Sequence, residues 1–70
     1  MSEIILNKVQ KFRKEKKITQ EDLAQAIDVS RQTIIAIERG NYTPSVLLAL
    51  KIADVFNRSV EEVFSISYEK

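Results

Sequence analysis

The side chains in this sequence that can do chemistry are guanidinium, ammonium and amide groups rather than nucleophiles. Arg31 and Gln32 stand together directly after Ser30, at the start of a run with apolar residues at helical spacing, and Arg39 and Asn41 lie beyond its end. A guanidinium offers a planar fork of donors and a primary amide pairs donors with an acceptor, so both suit two-point hydrogen bonding to flat polar edges. Between Asn7 and Ile18 lie Lys8, Lys11, Arg13, Lys14, Lys16 and Lys17, with Glu15 the lone acid. From Thr43 to Lys70 three basic residues face four acids, so a net charge of +1 conceals a basic end. Such a run is either a solvated helix face or the edge of an anion-binding surface. The chain has no cysteine and no histidine. Disulfide scaffolds, zinc sites of thiolate or imidazole, and catalysis by either group are thereby excluded. Glu21-Asp22 and Glu61-Glu62 are neighbours in sequence, so on helices each pair diverges and forms no carboxylate dyad. One glycine cannot build a phosphate-cradling loop. We expect no enzyme, no metal and no cofactor.

Positioning these groups falls to short helices. Gly40 and Pro44 are the only glycine and proline and flank one loop, so the other connections must be tight bends. Asn7 with Gln10, Thr19 with Asp22 and Ser59 with Glu62 have capping-box spacing, Ser30 precedes a periodic run, and Thr43-Pro44-Ser45 opens a further helix with proline in its first turn. The result is five helices, about 8–16, 20–27, 30–39, 45–56 and 60–64. Val9 with Phe12, then Leu23, Ala24 and Ile27, then Ile34 and Ile37, mark buried faces, and Val46, Ala49, Leu50, Ala53 and Phe56 mark a longer stripe. Ile4-Ile5-Leu6 and the alternating Phe64-Ser65-Ile66-Ser67-Tyr68 read as strands that pair in a small antiparallel ribbon. We therefore expect a mainly α fold over 1–70 as one domain. Its 70 residues bury only about 60% of the unfolded surface, which favours self-association. The longest apolar run is short, so no membrane span is expected; the N-terminal residues have no basic head before a long apolar stretch, so no secretion signal is expected, and the location is expected to be cytoplasmic.

Thr19 to Gly40 reads as one unit. Two short helices meet at Asp28-Val29; Ala24 permits close crossing, Asp28 tolerates a left-handed bend, and Val29, Ile34 and Ile37 anchor the second helix. This is helix-turn-helix geometry, in which the second helix enters a DNA major groove. Arg31, Gln32, Ile35, Ala36 and Arg39 lie opposite Ile34, Ile37 and Glu38. Arginine pairs with guanine, glutamine with adenine, and Ile35 and Ala36, read as exposed apolar residues, meet thymine methyls. Ser30 aims a helix N-terminus at a phosphate, Thr33 and Arg39 flank the reading face, and Asn41 and Tyr42 offer donors from the glycine loop, although Tyr42 also suits a packing lid. Lys16 and Lys17 add longer-range attraction.

The motifs Thr19-Gln20-Glu21-Asp22-Leu23-Ala24, Val29-Ser30-Arg31-Gln32-Thr33-Ile34, Ile37-Glu38-Arg39-Gly40, Pro44-Ser45, Leu50-Lys51-Ile52-Ala53 and Ser59-Val60-Glu61-Glu62-Val63-Phe64 together resemble the helix-turn-helix family of phage repressors and Cro proteins, the Cro/cI type, over residues 7 to 64. With its terminal strands the chain is similar to small standalone dimeric repressors such as the cytolysin-operon regulator, of bacterial or phage type. Asp28 replaces the usual turn glycine, and Asn57 stands where glycine often ends the fourth helix. The resemblance implies that Gln20 meets the DNA backbone and that Arg13 pairs with Glu38, a carboxylate facing inward and needing a partner. It also implies sequence-specific binding of a two-fold symmetric duplex operator as a homodimer that regulates, and most simply represses, transcription. An antitoxin that represses its own operon, or an interaction adaptor that reads no bases, are the alternatives; Arg31 and Gln32 speak against the adaptor. Val60 and Ile66, with Leu47 behind them, are expected at the dimer interface. No small-molecule ligand is expected.

Overall fold

A computed structural model describes residues 2–69. The order is β1 (Ser2–Asn7), α1 (Val9–Glu15), α2 (Gln20–Ala26), α3 (Arg31–Glu38), α4 (Val46–Val55), α5 (Val60–Val63) and β2 (Phe64–Glu69). The helices α2 to α5 begin where the sequence supplies a hydroxyl. Thr19, Ser30, Ser45 and Ser59 accept from the backbone N–H of Asp22, Thr33, Leu48 and Glu62 at 3.0, 3.3, 3.1 and 3.2 Å. Asp22 and Glu62 return the bond to the N–H of Thr19 and Ser59, both at 2.9 Å, which closes two reciprocal capping boxes.

The helices α1 to α4 share one ending. In each, the N–H of the residue two past the cap reaches back five residues: Ile18 to Arg13, Val29 to Ala24, Asn41 to Ala36 and Arg58 to Ala53, at 3.2, 3.0, 2.9 and 3.0 Å. The residue just before it is left-handed: Lys17 at φ 60°, Asp28 at 61°, Gly40 at 78° and Asn57 at 55°. Nothing lies within 4 Å of a Cβ built on Gly40, so its backbone angle, not crowding, favours glycine. Asp and Asn tolerate this conformation through local hydrogen bonding, whereas an ordinary L-residue is held there at a cost of roughly 1–2 kcal/mol.

The core gathers Val9, Phe12, Leu23, Ala24, Ile27, Ile34, Ile37, Ile52, Ala53, Phe56 and Val63, with Val29, Val60 and Phe64 packed against it. Arg58 closes one side. Its guanidinium lies 4.2 Å from the centre of the Phe12 ring and pairs with Glu62 at 3.3 Å and Glu15 at 3.7 Å, tying α1 to α5. The strands pair antiparallel, with Ile5 opposite Ile66 and Asn7 opposite Phe64. No helix among the described residues is long and apolar enough to cross a membrane.

Three local expectations are corrected. Asn7 does not cap α1, which starts after Lys8 without a side-chain cap. Asn7 ends β1 instead, accepting from Val9 N–H at 3.2 Å while its amide donates to the Ile37 carbonyl at 2.9 Å. Pro44 precedes the cap Ser45 rather than entering the first turn of α4. The apolar stripe of α4 is rotated: Val46 and Leu50, expected in the core, are 78% and 53% exposed, and Ile52 is buried in their place. The sequence VLLALKIADV is apolar nearly all round, so periodicity alone could not set its phase.

The capping boxes carry an acid signature. Hydrogen bonds from Thr19 hold the Asp22 carboxyl below the usual range, and bonds from Ser59, helped by Arg58, do the same for Glu62. A carboxyl whose pKa is lower in the folded than in the unfolded chain stabilises the fold fully above the unfolded value, about 4, and loses that contribution as pH falls through the folded value. Urea midpoints should therefore decline from about pH 5 downward. Asp22→Asn and Glu62→Gln should each be less stable than wild type at neutral pH and flatter on the acid side. An unchanged acid slope in the double variant would show that these caps do not carry it.

Candidate nucleic-acid interface

The site is built outward from one buried carboxylate. The side chains of Glu38 and Arg13 are only 4% and 11% exposed. Arg13 Nε donates to Glu38 Oε2 at 2.8 Å, and Nη2 donates to Oε1 at 3.4 Å. The same Oε1 accepts from the Gln20 amide at 3.0 Å. Arg13 Nη1 closes the set on the Ile18 carbonyl at 3.0 Å. One acid near the end of α3 therefore ties down α1 and the first residue of α2, and its partner Arg13 holds the turn between them. Among the described residues, no buried side-chain polar atom lacks a partner.

With Glu38, Ile34 and Ile37 turned inward, α3 presents Arg31, Gln32 and Arg39 to solvent. Ile35 and Ala36 are half-buried rather than exposed as expected, at the edges of that face. Ser30 is exposed, but its hydroxyl is engaged in capping and contacts the Thr33 hydroxyl at 3.1 Å. The two hydroxyls therefore preorganise the first turn, and what that turn offers outward is N–H groups. Asn41 and Tyr42 are exposed past the far end of α3. Tyr42 also lines a cleft beneath the ribbon with Ile5, Asn7, Ile37 and Phe64, so it is partly a packing residue.

Gln20 occupies a junction. One amide hydrogen goes to Glu38, which fixes the side chain beside Arg31, and both residues line a broad polar groove. Gln10, Lys14 and Lys17 line the same groove, whereas Lys16 lies in a different cleft with Phe12, Phe56 and Arg58. The sequence reading missed Gln10 and Lys14. Their spacing was the available signal: once Arg13 faces inward, positions 10 and 14 form the neighbouring ridge of α1, and Lys17 follows in the turn after it.

The expected interface residues are separated. Val60 is half-buried and lines an apolar cleft with Ile5, Val46, Leu50 and Phe64. Ile66 is 55% exposed opposite Ile5, and Leu47 is 64% exposed outside that cleft.

Comparison with known proteins agrees with this geometry. The Helix-turn-helix family pattern matches residues 9–63. An uncharacterized HTH-type transcriptional regulator of Methanocaldococcus jannaschii is 53% identical over 58 residues, covering 83% of this chain and 88% of that protein. The restriction-modification controller protein C.AhdI from Aeromonas hydrophila matches with a TM-score of 0.73 at 27% identity, covering 79% of this chain and 83% of that one. The clp gene regulator ClgR from Corynebacterium glutamicum matches with a TM-score of 0.73 at 30% identity over 77% of this chain, which spans 57% of the ClgR chain.

Removing either partner of the buried pair leaves the other charge stranded, at a cost of roughly 3–5 kcal/mol. Arg13→Ala and Glu38→Ala should each lose about that much in urea unfolding, and the double variant clearly less than the sum. Additive losses would mean that the pair is not coupled.

Proposed function

Because the chain belongs to the helix-turn-helix family of DNA-binding transcriptional regulators, we propose that it binds a two-fold symmetric duplex operator as a homodimer and represses transcription there. The observation that carries base reading is the solvent face of α3, with Arg31 and Gln32 in its first turn. In this reading Arg31 takes a guanine edge, Gln32 an adenine edge, and Ile35 and Ala36 approach thymine methyls. Backbone contacts come from Gln20, the first-turn N–H groups between Ser30 and Thr33, Arg39, Asn41 and Tyr42. Repression follows from occupancy, since a dimer seated in adjacent major grooves blocks other proteins from the same segment.

The dimer rests on apolar surface that one copy leaves open. The cleft of about 360 Å³ lined by Val46, Leu50, Val60 and Ile5 lies beside Ile66 on the ribbon. A second copy related by a two-fold axis would cover it and bring the two recognition helices about 34 Å apart, one turn of DNA. Leu47 falls at the rim of such an interface. The cleft thus adds Val46 and Leu50 to Val60 and Ile66.

Selection from a random duplex pool tests the whole reading. A two-fold symmetric consensus is expected; the absence of any enriched sequence would favour a non-reading adaptor. Arg31→Ala and Gln32→Ala should each relax one or two positions of the consensus, at about 1–3 kcal/mol per half-site. Equal weakening on every sequence would reduce both residues to phosphate contacts.

Leu50→Glu places a charge on an exposed position and spares the core, whereas Val60→Glu also touches partly buried packing. Both should sediment as monomers and lose most specific binding. A dimeric Leu50→Glu with wild-type affinity would move the interface elsewhere.

A further inference from the structure

Four helices end on a left-handed residue, and three of those residues explain themselves. Gly40 has no Cβ to clash, and Asp28 and Asn57 are side chains that tolerate the conformation. Lys17, at φ 60°, has neither excuse. Its N–H bonds the Lys14 carbonyl at 3.1 Å and the following Ile18 N–H bonds the Arg13 carbonyl at 3.2 Å, so the turn is well formed and needs nothing from a lysine side chain. Residues held in such sparsely populated backbone conformations cluster at ligand clamps and other functional sites.

What surrounds it gives the chemistry. Lys17 lines a groove of about 720 Å³ with Gln10, Lys14, Gln20, Glu21 and Arg31. Arg13 also borders the groove, but its charge is taken by Glu38 at 2.8 Å. Among the described residues, the groove's cations without an ion-pair partner are therefore Lys14, Lys17 and Arg31, against the single lining acid Glu21, with two carboxamides between them. Three flexible or forked donors around an open, polar groove suit phosphate oxygens. Arg31 belongs to the reading helix, so a duplex docked on α3 would bring its backbone along this groove toward the end of α1.

We infer that Lys17, with Lys14 beside it, grips a backbone phosphate outside the helix-turn-helix and lengthens the DNA footprint past the start of α2. This rests on the DNA-binding reading above and adds to it a contact made from the turn after α1. Lys16, although adjacent in sequence, belongs to the cleft of Phe12, Phe56 and Arg58 and takes no part.

The test compares wild type with Lys17→Gly, Lys17→Asn and Lys16→Ala on a labelled mixed-sequence duplex at several salt concentrations. Glycine and asparagine both suit the left-handed turn, so the Lys17 variants should keep a thermal midpoint no lower than wild type while binding several-fold more weakly. Their log affinity should fall less steeply with log salt, by about 0.9 for each protomer's lost contact. Lys16→Ala should leave the slope unchanged. If wild type binds and both Lys17 variants match its affinity and slope, the phosphate contact does not exist. An equal loss in Lys16→Ala would also overturn it, because the effect would then be one of overall charge. A wild type that binds no duplex even at low salt would overturn the DNA reading itself, a result distinct from the other two.

Discussion

A carboxylate removed from water must find donors, and Glu38 finds them on two other elements. Three hydrogen bonds converge on its two oxygens, from Nε and Nη2 of Arg13 and from the Gln20 amide. A contact between apolar faces alone would hold α3 to its neighbours but set its rotation less sharply, because hydrophobic burial itself has no direction. Hydrogen bonds near 3 Å do have direction. The pair thus contributes orientation more than net stability, since desolvation offsets much of the attraction between buried charges. The face of α3 that meets solvent follows from the face that meets Arg13.

The same economy governs the connections. With only one glycine, the chain turns at Lys17, Asp28 and Asn57 through left-handed non-glycine residues. Each bend returns two N–H groups to the preceding helix, so little backbone is left unbonded in short loops. The bend at Asp28 places α3 against α2 with Ala24 and Ile34 both buried, while the hydroxyl of Ser30 starts α3 two residues later. The first turn of α3 is therefore fixed from behind by packing and from its end by a cap, which leaves Arg31 and Gln32 on a rigid platform.

Much of this was legible in the sequence because it is local. Hydroxyls three residues before a backbone donor, Asp28 and Asn57 at helix ends, and the alternation of Phe64 to Tyr68 each act over a few residues. The inward turn of Glu38 was legible from helical spacing alone, and its partner from the family resemblance. What escaped was tertiary. Asn7 has the spacing of a cap, yet its amide is taken by a carbonyl thirty residues away. The phase of α4 could not be read because nearly every position on it is apolar, so the contrast that periodicity needs was missing. Val46 and Leu50 were consequently assigned to the core and the open cleft went unseen. Gln10 and Lys14 carried no motif of their own; their placement beside Arg31 exists only once α1 is docked.

A reading helix is useful in a dimer only if it stands at a fixed distance from the axis, so α3 must be rigidly coupled to whatever surface meets the second copy. The ribbon supplies that coupling. On one face of β1, Ile5 borders the apolar cleft while Asn7, two residues on, holds the Ile37 carbonyl in the last turn of α3 at 2.9 Å. Directly after it, the Lys8 N–H bonds the Val63 carbonyl at 2.9 Å, which anchors the strand to α5 and to the Val60 side of the same cleft. Phe64 and Ile66, alternate residues on one face of β2 with Ile66 opposite Ile5, complete the connection from core to surface. In the proposed dimer the terminal strands are thus the spacer between axis and groove. Loosening them would leave each helix-turn-helix folded on its own core, yet would blur the separation at which two of them meet one face of the duplex.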